Sequence, residues 1–284
     1  MQVICFDTLK KGTWFRTVCD TFSKRRQVQE CQIYISDDIA MERIMPVHLV
    51  TLAYLIDAMK KEGAKVSIVL NTVGSFIYND LHFKDYFSEG SPTYISVQDE
   101  RILGLWRVND VEKEVHPKRV QDYLKRVFFH NKDLSAVGTS LLEAYYNIFD
   151  HSGSTNNAWS MMKYDEQMEK LSVAVCDCGI GIPESVRQYI RIPNLLDEDA
   201  LTKALEDKFT TKSKTHNGGM GLGTIKGSCI GEDYLRIFSG QGLLIANRDK
   251  VRIEPTPFHF QGTLLYYDLS LKHFEEDTIE DFTF

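Results

Sequence analysis

The sequence predicts a mixed α/β (α+β) fold with a smaller N-terminal region and a larger C-terminal region. Three observations support this prediction. Residues 1–100 alternate between strand-like and helix-like segments. Residues 141–151 have the apolar periodicity of a helix, and residues 171–175 have the β-branched, apolar character of a buried strand. We therefore expect helices and strands in both regions.

Within residues 1–100, a β–α–β unit is the clearest pattern. Residues 31–36 and 65–70 each predict a strand. Between them, Pro46 starts a helix that ends at Gly63. One face of this helix carries Leu49, Leu52, Leu55, Ile56 and Met59. The unit resembles the small STAS-type domains of bacterial regulatory systems, but it lacks the Ser or Thr that switched members carry at the start of this helix.

The rest of the chain divides into three further segments. Residues 101–117 are charged and predict a connector, which leads to a helix over residues 120–129. We expect residues 118–272 to form the larger domain. Residues 273–284 predict an acidic C-terminal tail.

Polar residues interrupt the apolar helix at regular intervals. Glu143, Asn147 and Asp150 stand at positions i, i+4 and i+7, which places them on one side of a helix. They could pair with neighbouring backbone in a buried core helix. Alternatively, Asn147 could offer its amide oxygen to a magnesium ion, and Glu143 could orient or deprotonate a water or a hydroxyl.

A glycine-containing turn follows the strand at residues 171–175. Asp177 ends this strand, and Gly179 and Gly181 follow it. Glycine lets a backbone approach a flat ligand closely, and the carboxylate could accept a hydrogen bond from the amine of adenine. A simple turn explains the segment equally well. A dinucleotide-binding fold does not, because Glu184 stands where its third glycine would be.

A second glycine-rich stretch lies further along the chain. It contains Gly219, Gly221, Leu222 and Gly223. The run before it, which includes Lys212, is polar, and Lys226 does not lie in a G-K-[ST] motif, so the stretch is not a P-loop. We expect a loop that runs into a helix near Leu222, whose free N–H groups could bind phosphate.

Taken in order, these motifs resemble the GHKL superfamily, which includes the ATPases of gyrase B subunits, heat-shock chaperones, sensor histidine kinases and MutL. Residues 141–151 look like its N-box, residues 177–181 like its adenine-binding box, and residues 219–223 like the glycine-rich end of its ATP lid. Residues 184–217 would then be the lid, and Gly262-Thr263 is similar to its closing G-T strand. The resemblance implies a Bergerat-type α/β sandwich, in which helices cover one face of a mixed sheet.

The resemblance covers residues 117–272 and implies ATP and Mg²⁺ as cofactors. It makes Glu143 the catalytic residue and Asn147 the magnesium ligand. The nucleotide-binding residues that it implies are Asn147, Asp150, Asp177, Gly179, Gly181, Lys212, Gly219, Gly221, Leu222, Gly223 and Thr263.

Three functions are compatible with these motifs. The chain could be an ATP-binding switch that hydrolyses ATP slowly and changes shape or partner, which we favour. It could be a protein kinase that acts on Ser or Thr of a partner, like the anti-sigma-factor kinases. A histidine kinase fits least well, because neither His116 nor His130 lies in a recognisable dimerising hairpin.

Composition narrows the partners and the compartment. The net charge of −7 gives no basic footprint for nucleic acid. We see no signal peptide and no apolar run long enough to span a membrane. The six cysteines lack paired spacing and fit thiols in a reducing compartment. We therefore expect a cytoplasmic protein that binds ATP or ADP and another protein, or a second copy of itself.

Overall fold

The computed structural model describes residues 1–81, 83–84, 102–151, 157–206 and 221–276. Over these residues the chain forms two sheets and the helices that pack on them. The strands are β1 (Gln2–Phe6), β2 (Glu30–Ile35), β3 (Lys65–Ile68), β4 (Ile102–Asn109), β5 (Asn157–Asp165), β6 (Lys170–Cys176), β7 (Leu235–Ala246) and β8 (Val251–Ser270). The α-helices are α1 (Lys11–Lys24), α2 (Pro46–Lys61), α3 (Thr72–Ser75), α4 (Val115–Val127), α5 (Ser135–His151), α6 (Gly181–Ile190), α7 (Asp197–Ala204) and α8 (Gly221–Ser228).

The first three strands form a small parallel sheet in the order β1-β2-β3. Helix α1 connects β1 to β2, and α2 connects β2 to β3. Both helices also contact the second, larger sheet, α1 through β8 and α2 through β5 and β6. The two helices therefore form a layer between the sheets, and the N-terminal region shares an apolar core with the C-terminal one.

Helix α2 is buried on more than the single face that its apolar spacing suggests. Thirteen of its sixteen residues are buried, including the polar residues His48 and Thr51. The reason is its position, because it has a sheet on either side. His48 and Thr51 are satisfied locally: the ring of His48 hydrogen-bonds with Met45 N and Leu9 O, and the Thr51 hydroxyl donates to Val47 O.

The larger sheet has the strand order β4-β5-β6-β8-β7, and all its strand pairs are antiparallel. The mixed sheet that the GHKL resemblance implied is therefore wrong for the described part of the chain. The charged stretch 101–117, expected to be a connector, contains the edge strand β4. Leu105 and Val108 are buried there, because β4 pairs with β5 and covers the core from the edge.

Alternate side chains of the large sheet belong to two separate apolar cores. In β6, Ala174 and Cys176 join the core that contains α1 and α2. Val173 and Val175 join the opposite core, which contains α4 to α8. The alternation follows from the period of two along a strand. The protein is thus layered as small sheet, helices α1 and α2, large sheet, and helices α4 to α8.

Several predicted elements are confirmed with shifted ends, and the mixed α/β class is confirmed as a whole. The strands expected at 31–36 and 65–70 are β2 and β3, and the helix expected near Leu222 begins at Gly221. The helix expected at 120–129 is α4, which begins five residues earlier, at Val115. Within the described residues, no helix combines the length and the apolar character that crossing a membrane requires.

Candidate functional site

Asp177 lies directly after β6 and has no exposed surface. One carboxylate oxygen, Oδ1, accepts the N–H of Gly179 at 2.5 Å, and the other, Oδ2, accepts the N–H of Thr263 at 3.0 Å. The backbone N–H of Asp177 donates to Thr263 O at 2.9 Å. The side chain therefore joins the glycine turn after β6 to the neighbouring strand β8.

Two opposing effects set the protonation of this carboxyl group. Burial raises the pKa of Asp177 to about 7, because an ionised carboxylate loses its hydration there. The hydrogen bonds from Gly179 and Thr263 lower the pKa but offset only part of this increase. Near neutral pH the group is therefore poised between its two forms, which is uncommon for an aspartate and typical of sites where a proton or a ligand matters.

Two glycines let the chain pack closely around Asp177. Gly262 has a φ of +89°, and a Cβ there would lie 2.3 Å from Asp177 O. Gly181 has a φ of +81°, and a Cβ there would lie 2.6 Å from the hydroxyl oxygen of Ser239. Both positions thus need glycine for conformation and for space. The close approach at Gly181 is to Ser239 and Gly262, and the predicted contact of Gly181 with a nucleotide stays a prediction.

Ser239 of β7 completes this arrangement, although its sequence context gave no sign of such a role. Its hydroxyl donates to Gly262 O at 2.7 Å and accepts the N–H of Ile182 at 2.9 Å. It therefore ties the start of α6 to β8. We call the whole group the strand-end cluster; it consists of Asp177, Gly179, Gly181, Ser239, Gly262 and Thr263.

Helix α5 carries the predicted catalytic and magnesium-binding side chains. Glu143 is 9% exposed, and Asn147 is half-buried. The Asn147 amide Nδ2 donates to Glu143 O at 2.7 Å, which fixes the amide plane. Within the described part of the chain this is the one hydrogen bond of the Asn147 side chain, so Oδ1 is available as a ligand. Asp150 lies in α5, but its side chain is outside the described residues.

A hydroxyl pair fixes α5 against the large sheet. Tyr267 of β8 donates its hydroxyl to Ser140 Oγ at 3.1 Å, and Ser140 donates in turn to Val137 O. Ser140 and Tyr267 are both buried. Because Ser140 lies one turn before Glu143, the hydrogen bond between Tyr267 and Ser140 helps to position Glu143 and Asn147 relative to the sheet.

Helix α8 contains the end of the second glycine stretch. Leu222 and Ile225 are buried and hold the helix in the core, where α8 packs against α5. A Cβ at Gly223 or Gly227 would meet nothing within 4 Å. Among the described residues, nothing would obstruct a side chain at Gly223, so packing against them does not require a glycine there.

Three predicted features lie partly or wholly outside the described residues. Lys212 and Gly219 are not described, nor are residues 207–217 of the predicted lid. The earlier part of that lid, 184–206, is packed structure: it includes most of α6 and all of α7. Ion pairing between Arg187 and Asp197 joins these helices, and Leu201 of α7 is buried.

The structure thus brings the motif-bearing elements to one side of the large sheet. Helix α5 contacts both α8 and α6, and it contacts β6 and β8 as well. Asn147 bonds within α5, whereas Asp177 bonds to the glycine turn and to β8, so the two motifs touch different partners. A ligand that contacted both would bridge them.

No protein-family model matches the chain, and no curated protein sequence matches it.

Proposed function

We propose that this protein binds Mg-ATP between α5, the start of α8 and the strand-end cluster, and uses ATP hydrolysis to change its conformation or its partner. The observation that carries the proposal is the packing of α5 against α8 on one side of the large sheet. Asp177 and Thr263 belong to that same side, because their neighbours Cys176 and Leu264 face the opposite core.

The start of α8 is the candidate phosphate site. The first N–H groups of a helix lack partners within the helix, and the helix dipole favours negative charge there. The open space at Gly223 leaves room for an anion to approach this backbone. A glycine at this position is compatible with close approach of a phosphate to the first turn of α8.

Asp177 is the candidate adenine contact. Its oxygens accept the N–H groups of Gly179 and Thr263, and the Thr263 side chain also hydrogen-bonds to the carboxylate. An ionised carboxylate has about four acceptor positions, so an amine could still donate to it. Since the side chain has no exposed surface, adenine could reach it only after the covering groups move. An amine that donates to the ionised form would lower the pKa of Asp177 from about 7, so binding near neutral pH would release protons.

Helix α5 would complete the site. Asn147 Oδ1 would take one position on a magnesium ion, which commonly keeps several of its waters and uses few protein ligands. Magnesium supplies charge neutralisation for the phosphates when it is bound. Glu143, one turn before Asn147, would orient a water for attack on the γ-phosphate.

Calorimetry with Mg-ADP and with a non-hydrolysable Mg-ATP analogue tests this proposal. We expect binding of both, with proton release at pH 7 that appears as a dependence of the enthalpy on buffer. In Asp177→Asn, the proton release should disappear, and affinity should fall about ten- to hundredfold through loss of a charged hydrogen-bond partner. Circular dichroism must show that the variant is folded, because its amide would also face a backbone N–H. A wild-type protein that binds neither nucleotide contradicts the proposal.

Turnover assays then separate hydrolysis from transfer. Hydrolysis releases inorganic phosphate, whereas the kinase alternative would leave the γ-phosphate on a partner protein.

The six thiols, none of which is in a disulfide, fit our proposal that the protein works in the reducing cytoplasm. Another protein, or a second copy of this chain, would bind differently to the ATP-bound and ADP-bound forms.

A further inference from the structure

Gln261 stands immediately before Gly262-Thr263 and reaches across to the glycine turn. Its amide Nε2 donates to Gly179 O at 2.6 Å. Asp177 holds the N–H of the same residue, so both polar groups of Gly179 are fixed by side chains. The turn is therefore positioned from two directions, by one residue of its own and by one from β8.

Tyr54 of α2 holds Gln261 from the opposite side of the sheet. Its hydroxyl donates to Gln261 O at 3.0 Å, across 207 positions of the sequence. Tyr54 is 1% exposed, stacks on Phe260 with 5.2 Å between ring centroids, and meets Trp159 edge-on at 5.9 Å. It also lies against the Cys178 thiol within the glycine turn. An N-terminal side chain thus contacts the candidate adenine turn directly at Cys178 and indirectly through Gln261 of β8.

We propose that Gln261 is a positioning residue for the Gly179 turn, and that Tyr54 couples helix α2 to the nucleotide site through it. A shift of α2 would move Gln261 and loosen the turn, and a bound nucleotide would in return stabilise the position of α2. The N-terminal region would then regulate nucleotide binding, or respond to it, without contacting the nucleotide. This inference rests on the proposed function, which it extends to regulation.

The first test removes the amide donor while keeping the length of the side chain. Gln261→Met should increase hydrogen exchange in peptides covering residues 177–181 of the nucleotide-free protein. It should also weaken binding of the Mg-ATP analogue about three- to tenfold, the loss expected for one neutral hydrogen bond. Gln32→Met is the matched control, because Gln32 is also a half-buried strand residue but lies in the small sheet. It should change neither quantity.

The second test compares two substitutions in the same buried helix. Tyr54→Phe removes the hydroxyl that holds Gln261 and should weaken analogue binding in the same range. Thr51→Val removes the acceptor of the Trp14 indole N–H, a 3.0 Å bond between α1 and α2. It should lower the unfolding temperature without weakening analogue binding. A purely structural role of Tyr54 predicts that both variants lose stability and both keep wild-type affinity.

The outcomes separate this inference from the proposed function. If the wild type binds the analogue, but Gln261→Met and Tyr54→Phe bind it equally well, the coupling is overturned and the nucleotide site stands. If the wild type binds no nucleotide, both the proposed function and the coupling are overturned. Unchanged exchange at residues 177–181 in Gln261→Met removes Gln261 as a positioning residue whatever the nucleotide result.

Discussion

The two sides of the large sheet are packed with different kinds of residue. On the side that faces α1 and α2, Phe15, Phe238, Phe258 and Tyr266 form one group of contacting rings, and Tyr54 stacks on Phe260. The side that faces α4 to α8 also has contacting rings, such as Phe129 and Tyr164, but in addition it encloses Asp177 and Glu143, and glycines stand where backbone segments approach closely.

This difference suggests that one side of the sheet mainly stabilises the fold, whereas the other carries the candidate functional groups. Aromatic rings bury large areas and stabilise a fold without needing partners for charge. Buried carboxylates cost free energy unless they are hydrogen-bonded, and glycines add no apolar contact. The side with the buried carboxylates has an apolar core of its own, and the side that faces α1 and α2 adds a second one. We therefore interpret the aromatic side as the support and the polar side as the functional one.

The largest effect that we expect on the polar side comes from adding one methyl group. Gly262→Ala would place a Cβ within 2.3 Å of Asp177 O at a φ of +89°. Left-handed strain and overpacking together should lower the free energy of unfolding by about 3–5 kcal/mol. Urea denaturation measures this difference.

Gly231→Ala is the control for backbone strain alone. Gly231 has a φ of +64°, and a Cβ there would meet nothing within 4 Å. We expect a loss of about 1–2 kcal/mol. Equal losses at Gly231 and Gly262 would mean that the strand-end cluster is loosely packed.

Each side encloses a neutral histidine, His48 or His116, whose protonation should destabilise the fold in acid. Burial lowers the pKa of His48, on the aromatic side, to about 4, and that of His116, on the polar side, to about 3. The unfolded chain takes up these protons near the ordinary pKa of 6.5. Stability from each group is therefore complete above pH 6.5 and is lost as the pH falls toward the folded-state pKa.

His116→Phe tests this expectation while preserving the ring that stacks on Trp106. Between pH 7 and pH 4, the variant should lose about 3 kcal/mol less than the wild type. Asp177 acts in the opposite sense: its raised pKa of about 7 removes stability as the pH rises from 4 to 7. Urea denaturation at both pH values measures the difference, and parallel pH curves for wild type and variant would contradict a buried neutral His116.

The elements that were predicted, such as β2, β3 and α2, follow from apolar periodicity, which reports burial directly. The strand β4 was not predicted, because Arg107 and the charged residues at 110–114 suggested a connector, although Leu105, Trp106 and Val108 are buried. The lid over residues 184–217 was predicted from the resemblance, whereas α6 and α7 within it are fixed by contacts with β7 and β8. The antiparallel order of the large sheet depends on pairings between distant strands, which a local pattern does not encode.

The candidate site likewise contains residues that a local sequence pattern indicates and residues that only distant contacts bring together. Asp177 and Gly181 were predicted as site residues because a strand followed by spaced glycines is visible in a short window, and Thr263 was predicted from the resemblance to a closing G-T strand. Ser239 and Gln261 were missed, because their partners lie 57 and 82 positions away along the chain. Only the folded sheet brings those hydrogen bonds together.

A smaller effect should separate magnesium binding from stability. Asn147→Ala removes a half-buried amide whose bond in the described structure is to its own helix, so stability should change by less than about 1 kcal/mol. Nucleotide binding should lose its dependence on Mg²⁺, measured by calorimetry with and without the metal. Ser135→Ala, at the start of the same helix, serves as the control. Unaltered magnesium dependence in Asn147→Ala would remove this residue as a ligand.

The central claim is that the polar side holds a nucleotide, and one pair of glycines on α8 tests it most directly. Gly223→Ala and Gly227→Ala each add a methyl group where nothing lies within 4 Å, so each should keep or raise stability, by up to about 1 kcal/mol. Calorimetric affinity for the Mg-ATP analogue should fall about tenfold or more in Gly223→Ala, through loss of a charge-assisted phosphate contact, and stay at the wild-type value in Gly227→Ala. Equal affinity in both variants and the wild type would contradict a phosphate site at the start of α8.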